Sequence, residues 1–287
     1  MTTQHRAAVL GSPIAHSLSP ALHRAGYAAL GLGAWSYDRF EVDEAALPGF
    51  VAGLGPEWAG LSLTMPLKRA IMPLLDEVSG TARAVQAVNT VVFGPDGSRR
   101  GDNTDVPGLV NALAERGIHR VEAAAVLGAG ATASSALAAL ARICDGEVTA
   151  YVRSPERAAE MRALGERLGL RLRTAGWDRA AEALASPLTI STTPVGATDA
   201  FAPDVPERPG ALFDVLYHPW PTALAAACAA RGATVLGGLD LLVHQAVLQF
   251  DQFTAGSGGP GGSGGPLAAM RAAGEAALAG PAAADRT

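Results

Sequence analysis

This chain is almost without lysine. Its 22 basic residues are 21 arginines and one lysine, Lys68. On a solvated surface the two types do similar work, so the imbalance reads as a compositional preference. The exception carries the chemical information, because an ammonium can lose its proton at accessible pH and a guanidinium cannot. Cysteine is also scarce: Cys144 and Cys228 stand alone without metal-ligand spacing. That fits a reducing cytoplasm rather than a disulfide framework. Charged residues are only 17% of the 287 and the formal net charge is −5. No basic cluster forms a nucleic-acid platform. No apolar run reaches the roughly 18 residues of a membrane helix. The first residues, before Gly11, lack a signal-peptide core. The six histidines are scattered, without zinc spacing, so no metal is expected. What is present is apolar: 49% of residues, with mean hydropathy +0.20, which excludes disorder as the main state.

Short apolar runs alternate with helical stretches. Arg6–Gly11, Ser36–Val42 and Trp58–Thr64 read as strands; Pro20–Leu32, Asp43–Leu54 and Pro66–Glu77 read as helices. Val88–Phe93 and Ser98–Asp102 form a strand pair turning at Pro95-Asp96-Gly97, and a helix follows over Val106–Arg116. From Val121 the alternation restarts, with a strand to Leu127, a helix over Thr132–Arg142, a strand over Glu147–Val152 and a helix over Pro155–Leu168. Leu188–Ser191, Ala211–Val215 and Ala233–Leu236 are later strands. This rhythm predicts α/β units with mostly parallel sheets, in two domains. The Gly/Ser/Pro-rich stretch 256–266 reads as a flexible connection to a last helix over Leu267–Ala279, with a fraying end.

The strand ending at Leu127 runs into Gly128-Ala129-Gly130-Ala131-Thr132-Ala133 and then a helix. GxGxxA in strand–turn–helix context is a dinucleotide-binding signal. Gly128 permits the tight turn, Gly130 lets backbone approach a pyrophosphate, and Ala133 allows close helix–strand packing. At the end of the next strand an NAD site wants a carboxylate for the ribose hydroxyl. Here stand Arg153 and Ser154, with Arg157 one turn later. Guanidiniums and a hydroxyl suit a 2′-phosphate, so NADP(H) is expected rather than NAD. Ser154 before Pro155 also reads as a helix cap.

Four polar loops mark the first 110 residues: Ser12–Pro20, Leu63–Lys68, Ala87–Thr90 and Gly101–Asp105. Ser17 and Ser19 offer two hydroxyls beside a helix start, a cradle for a small carboxylate; Ser19 before Pro20 is also a plain N-cap signal. Lys68 falls in the first turn of a helix opened by Pro66, where a cation opposes the helix dipole. A functional reason for it therefore stands beside the plainer reading of an exposed lysine.

Read in order, GSPIAHSLSPALH, TMPLK, AVNT, GDNTD, GAGATA, Ser191–Gly196, Asp214–Pro219 and Gly238–Gln245 resemble the shikimate dehydrogenase family from about residue 8 to 255. The resemblance implies an NADP-dependent, reversible reduction of 3-dehydroshikimate to shikimate, a step of aromatic amino-acid biosynthesis. It implies a two-domain α/β architecture: a substrate domain over 1–105, a Rossmann-type NADP domain over 106–237, and C-terminal helices over 238–287 returning to the substrate domain. It assigns Lys68 and Asp105 as the catalytic pair. Ser17 and Ser19 would hold the substrate carboxylate with Tyr217 nearby, and Thr64, Asn89 and Gln245 would hydrogen-bond the substrate. Gly128, Ala129, Gly130, Ala131, Ala133, Arg153, Ser154, Arg157, Thr193 and Gly238 would form the cofactor side. Departures from the family pattern are Ser62 for Asn, Val152 for Asn and Ser154 for Thr around Arg153, Ala131 for Gly, Ala197 for Met, and Asp240-Leu241 for Gly-Met. A quinate or amino-analogue dehydrogenase is the alternative enzyme. A ligand-sensing module without catalysis is the alternative of another class, and it would be expected to lose Lys68 and Asp105. A monomer or homodimer is expected.

Overall fold

The computed structural model describes residues 4–255 and 266–280. The expected flexible stretch at 256–266 lies, Pro266 excepted, outside the described residues, as does the end of the chain from 281. The chain divides into two compact units, residues 1–104 with 242–287, and residues 105–241. The first break falls between Thr104 and Asp105. The return falls at Leu242, inside the helix Gly238–Thr254, rather than at 238.

The first unit carries strands β1 (His5–Gly11), β2 (Trp35–Glu41), β3 (Trp58–Leu63), β4 (Glu77–Val78), β5 (Thr90–Phe93) and β6 (Arg99–Asp102). They form one sheet in the order β2-β1-β3-β5-β6-β4. β1 pairs parallel with β2 and β3, while β5 runs antiparallel to both β3 and β6. The β5–β6 turn is the expected one: Gly97 has φ +83°, which suits glycine, and its N–H donates to Gly94 O at 2.9 Å. The mixed directions have a consequence for function. The ends of β1, β3 and β6 and the start of β5 all come to one edge of the sheet. One face is covered by a core that includes Leu10, Leu47, Leu61, Leu63, Leu67, Ile71 and Val88. Tyr37, Leu22 and Phe250 are likewise fully buried in this unit.

The helix expected over Pro66–Glu77 is not continuous. Leu67–Ala70 forms one turn, Met72–Leu74 a tighter turn, and Glu77–Val78 the edge strand β4. Pro73 explains the break, since proline lacks the N–H that a continuing helix needs. A helix over Gly80–Val85, capped by the Ser79 hydroxyl, follows where none was expected. Asp43–Leu54 is likewise shortened to Leu47–Ala52, because the Asp43 carboxylate accepts from Ala46 N at 2.8 Å and holds a turn ahead of the helix.

The second unit is a parallel sheet of β7 (Ala124–Leu127), β8 (Val148–Val152), β9 (Leu172–Gly176), β10 (Leu188–Ser191), β11 (Ala211–Asp214) and β12 (Val235–Leu236). Its order, β12-β11-β10-β7-β8-β9, is doubly wound about the β7/β10 boundary. β7, β8 and β10 are buried along their whole length, as both-face coverage of a parallel sheet requires. The edge strand β9 escapes sequence reading because its partly buried Leu-Arg-Thr-Ala-Gly carries no apolar run. No helix among the described residues is long and apolar enough to cross a membrane.

Candidate active site

In the first unit the four polar loops meet at the sheet edge. Ser12 N donates to Met65 O at 3.0 Å and Thr64 N to Leu10 O at 3.0 Å, so the loop after β1 lies along the loop after β3. Ser19 opens the helix Ser19–Ala29 with its side chain buried; it does not cap that helix, because Leu18 occupies the cap position and makes no side-chain bond. Ser17 Oγ accepts from Ser19 N at 3.4 Å, which keeps the two hydroxyls adjacent. Lys68 is half-buried on the single turn Leu67–Ala70, and its backbone carbonyl accepts from Val88 N at 2.8 Å. That bond sets the lysine beside the Ala87–Thr90 loop.

Asn89 is the best-determined side chain here. Its Oδ1 accepts from Thr104 N at 2.8 Å and from Thr90 Oγ1 at 2.8 Å. A backbone N–H can only donate, so the amide is fixed with oxygen toward Thr104. Its Nδ2 donates to Thr104 Oγ1 at 3.0 Å and faces Gln245 Oε1 at 3.5 Å. Gln245, Gln249 and Gln252 lie on the helix Gly238–Thr254 at i, i+4 and i+7, one polar stripe. Gln249 Nε2 donates to Asn89 O at 3.0 Å and Gln252 Nε2 to Asp102 Oδ2 at 2.8 Å. Sequence reading singles out Gln245 alone; the i, i+4, i+7 glutamine spacing on this helix was the available signal for the other two.

In the second unit Asp105 is buried as the first residue of the helix Asp105–Glu115. Tyr217, on the loop after β11, has its hydroxyl pKa raised by burial. Gly128 has φ +110°, and a Cβ there would lie 2.6 Å from Thr192 Oγ1, so only glycine fits. Thr192 N donates to Leu127 O at 2.9 Å, which brings the Thr193 segment alongside the Gly128 turn at the point where the sheet order reverses. Thr193 itself is buried, its hydroxyl 3.2 Å from that of Ser191. The helix Ala131–Ile143 starts at Gly130 with no side-chain cap. Its first N–H groups and positive dipole end therefore face outward, as a pyrophosphate needs. Ala133 is fully buried, while Ala129 and Ala131 are half-buried along the turn. Gly238 N donates to Leu216 O at 2.9 Å, and a Cβ on Gly238 would collide with the Val215 carbonyl.

At the end of β8, Ser154 Oγ accepts from Arg157 N at 3.3 Å and caps the next helix. Arg157 is ion-paired with Glu160 at 2.8 Å. The Ser154 hydroxyl also bonds Glu156, holding that carboxyl below its usual range. Arg153 is exposed, with its guanidinium carbon 5.3 Å from the centre of the Trp177 ring. Trp177 was not foreseen, because nothing in sequence places a residue after β9 beside the end of β8.

The residues fit a 2′-phosphorylated dinucleotide: a glycine turn with no Cβ, an uncapped helix start, and an exposed arginine at the neighbouring strand end.

Comparison with known proteins gives the family. Residues 9–91 match the model of the shikimate dehydrogenase substrate binding domain. A shikimate dehydrogenase (NADP(+)) of Methylobacterium radiotolerans is 40% identical over 257 residues, 86% of this chain and 90% of that protein.

The chain belongs to the shikimate dehydrogenase family.

Solved members of the family share the fold. The Mycobacterium tuberculosis shikimate dehydrogenase superposes with TM-score 0.85 at 41% identity, covering 95% of this chain and 99% of that one. The Thermus thermophilus enzyme, solved in complex with NADP(H) and shikimate, gives TM-score 0.81 at 36% identity, covering 96% and 100%. A quinate dehydrogenase from Corynebacterium glutamicum in complex with NAD is similar in shape, TM-score 0.82, at 26% identity. Against the shikimate dehydrogenase pattern two departures acquire partners. Ser62 is buried on β3 in a chain of side-chain hydrogen bonds. Asp240 is buried, accepts from Gly237 N at 2.9 Å and lies 3.6 Å from Arg116, so it anchors the turn before Gly238. Nothing in the structure explains Ala197 in place of Met.

Proposed function

We propose that this chain catalyses the reversible, NADPH-dependent reduction of 3-dehydroshikimate to shikimate. The observation that carries the reading is similarity along nearly the whole chain to an enzyme solved with NADP(H) and shikimate, joined to retention of Lys68 in a chain that otherwise uses arginine.

When bound, the nicotinamide supplies the hydride that reduces the ketone carbon. The chain's own residues do the rest. Ser17 and Ser19 hold the substrate carboxylate, with Tyr217 nearby. Asn89, its oxygen held by Thr104 N and Thr90, turns to a ring hydroxyl the N–H that faces Gln245 at 3.5 Å; Thr64 and Gln245 bond the remaining hydroxyls. Lys68 and Asp105 hold and deliver the proton at the ring oxygen as a coupled pair. Gly128, Ala129, Gly130, Ala131 and Ala133 hold the pyrophosphate turn, with Thr193 and Gly238 toward the nicotinamide. Arg153, Ser154 and Arg157 hold the 2′-phosphate, the exposed Arg157–Glu160 pair being weak enough to open for it. The unit of residues 1–104 with 242–287 acts as the substrate domain and the unit of residues 105–241 as the NADP domain. The enzyme works in the cytoplasm as a monomer or homodimer.

Steady-state rates with shikimate, quinate and their amino analogues, each with NADP+, test the substrate assignment. Shikimate is expected to give the highest kcat/KM. A higher value for quinate or an amino analogue overturns the assignment while leaving the dehydrogenase chemistry in place.

A further inference from the structure

Behind the substrate loops runs a buried chain of hydrogen bonds that passes through Ser62, one of the departures from the family pattern. Tyr37 Oη donates to Ser62 Oγ at 2.7 Å, and Ser62 Oγ donates to Gln249 Oε1 at 2.7 Å. Gln249 Nε2 then donates to Asn89 O at 3.0 Å and to Thr90 Oγ1 at 3.1 Å. Thr90 Oγ1 donates to Asn89 Oδ1 at 2.8 Å.

The direction of every bond is forced. Asn89 O is a backbone carbonyl and can only accept, so Gln249 must turn its nitrogen to it and its oxygen to Ser62. Ser62 must then donate to that oxygen and accept from Tyr37. The far end is fixed too, since Asn89 Oδ1 also accepts from Thr104 N.

Tyr37 is itself held. Its ring is stacked on His23 with centroids 4.0 Å apart and planes 7° apart, and neither His23 nitrogen has a hydrogen-bond partner, so the contact is one of ring faces. Tyr37 is 0% exposed, Ser62 3% and Gln249 1%. A phenol with no accessible surface does not touch the substrate. Its influence passes through Ser62, Gln249 and Asn89.

We propose that Tyr37 is a positioning residue for shikimate, which through Ser62 and Gln249 orients the Asn89 amide. Ser62, where relatives commonly carry Asn, is on this reading the link that connects the phenol to Gln249. The inference rests on the proposed shikimate site, and the test separates the two.

The experiment compares wild type with Tyr37→Phe, which keeps the ring and the His23 stack and removes only the hydroxyl. KM for shikimate, KM for NADP+ and kcat are measured, with the thermal shift given by shikimate alone as a cofactor-free readout. Loss of one neutral hydrogen bond scales to about a 3- to 10-fold rise in shikimate KM. NADP+ KM stays at the wild-type value, and the shikimate thermal shift shrinks. Unchanged shikimate KM and thermal shift overturn the proposal, as does an equal rise in both KM values, which would mark a general loosening. Should Tyr37→Phe not fold, Ser62→Ala breaks the same chain at its next link and is judged by the same criteria. A wild-type protein that turns over no shikimate refutes the functional reading instead.

Discussion

Replacing Lys68 by alanine separates chemistry from folding. The lysine side chain is half-buried on a single helical turn, and the bond that ties this residue to Val88 comes from its backbone carbonyl, which alanine also has. Leu67, next to it, supplies the buried apolar contact. A half-buried ammonium contributes about 0–1 kcal/mol through its own partners, so the expected folding cost is small, under about 1 kcal/mol. The catalytic cost is of another order. A positioned acid contributes roughly 10²- to 10⁴-fold, which is about 3–5 kcal/mol of barrier. Lys68→Ala is expected to melt near wild type, to keep a shikimate-induced thermal shift, and to lose kcat by that factor. Lys68→Arg keeps the charge but not a removable proton, and is expected to be nearly as slow. NADPH absorbance gives kcat, and differential scanning calorimetry gives the melt. A kcat within about threefold of wild type in Lys68→Ala would refute the assignment of the lysine as a proton donor.

Other perturbations address the cofactor side and the core. Arg153→Ala removes the guanidinium left outside a carboxylate pair and is expected to raise NADP+ KM about 10- to 100-fold with NAD+ KM unmoved; an equal change in both would show that it does not read the 2′-phosphate. Trp177→Ala removes the ring beside that guanidinium together with its packing on Phe201 and the core around Leu127 and Tyr151; isothermal titration of the folded variant with NADP+ should show a loss of about 2- to 5-fold. His23 titrates at about 3 in the fold because of burial, against 6.5 ordinarily. The unfolded chain therefore binds the extra proton first. Stability is lost as pH falls from 6.5 toward 3, by about 2 kcal/mol at pH 5 from this group. Urea melts across that range should be flatter for His23→Phe than for wild type, and parallel curves would contradict the burial argument.

Much of the site was legible because its chemistry is local. The GxGxxA turn needs only a strand, two glycines and a helix start, all contiguous, and Gly128 takes the positive φ that the pattern requires. The four polar loops stand out as breaks between apolar runs, and the mixed sheet carries them to one edge. What was not legible depends on distant pairs. Ser62 and Gln249 are 187 residues apart, and Gln249 and Asn89 160. Tyr37 sits on an unremarkable strand with alternating polarity, and only the fold shows that its hydroxyl points at Ser62. Trp177 and Arg153 meet through the β8–β9 pairing, which sequence missed because β9 is short and half-polar. The Pro66–Glu77 helix is broken for a local reason that the sequence does carry, the proline at 73 in its middle.

The central claim is that this chain oxidises shikimate with NADP+ through Lys68. Its most direct test is shikimate-dependent formation of NADPH by the purified protein, with Lys68→Ala prepared in parallel. The account predicts turnover by wild type, with kcat/KM for NADP+ well above that for NAD+, and a rate near background for the variant. No turnover by folded wild type, or equal turnover by the two proteins, would contradict it.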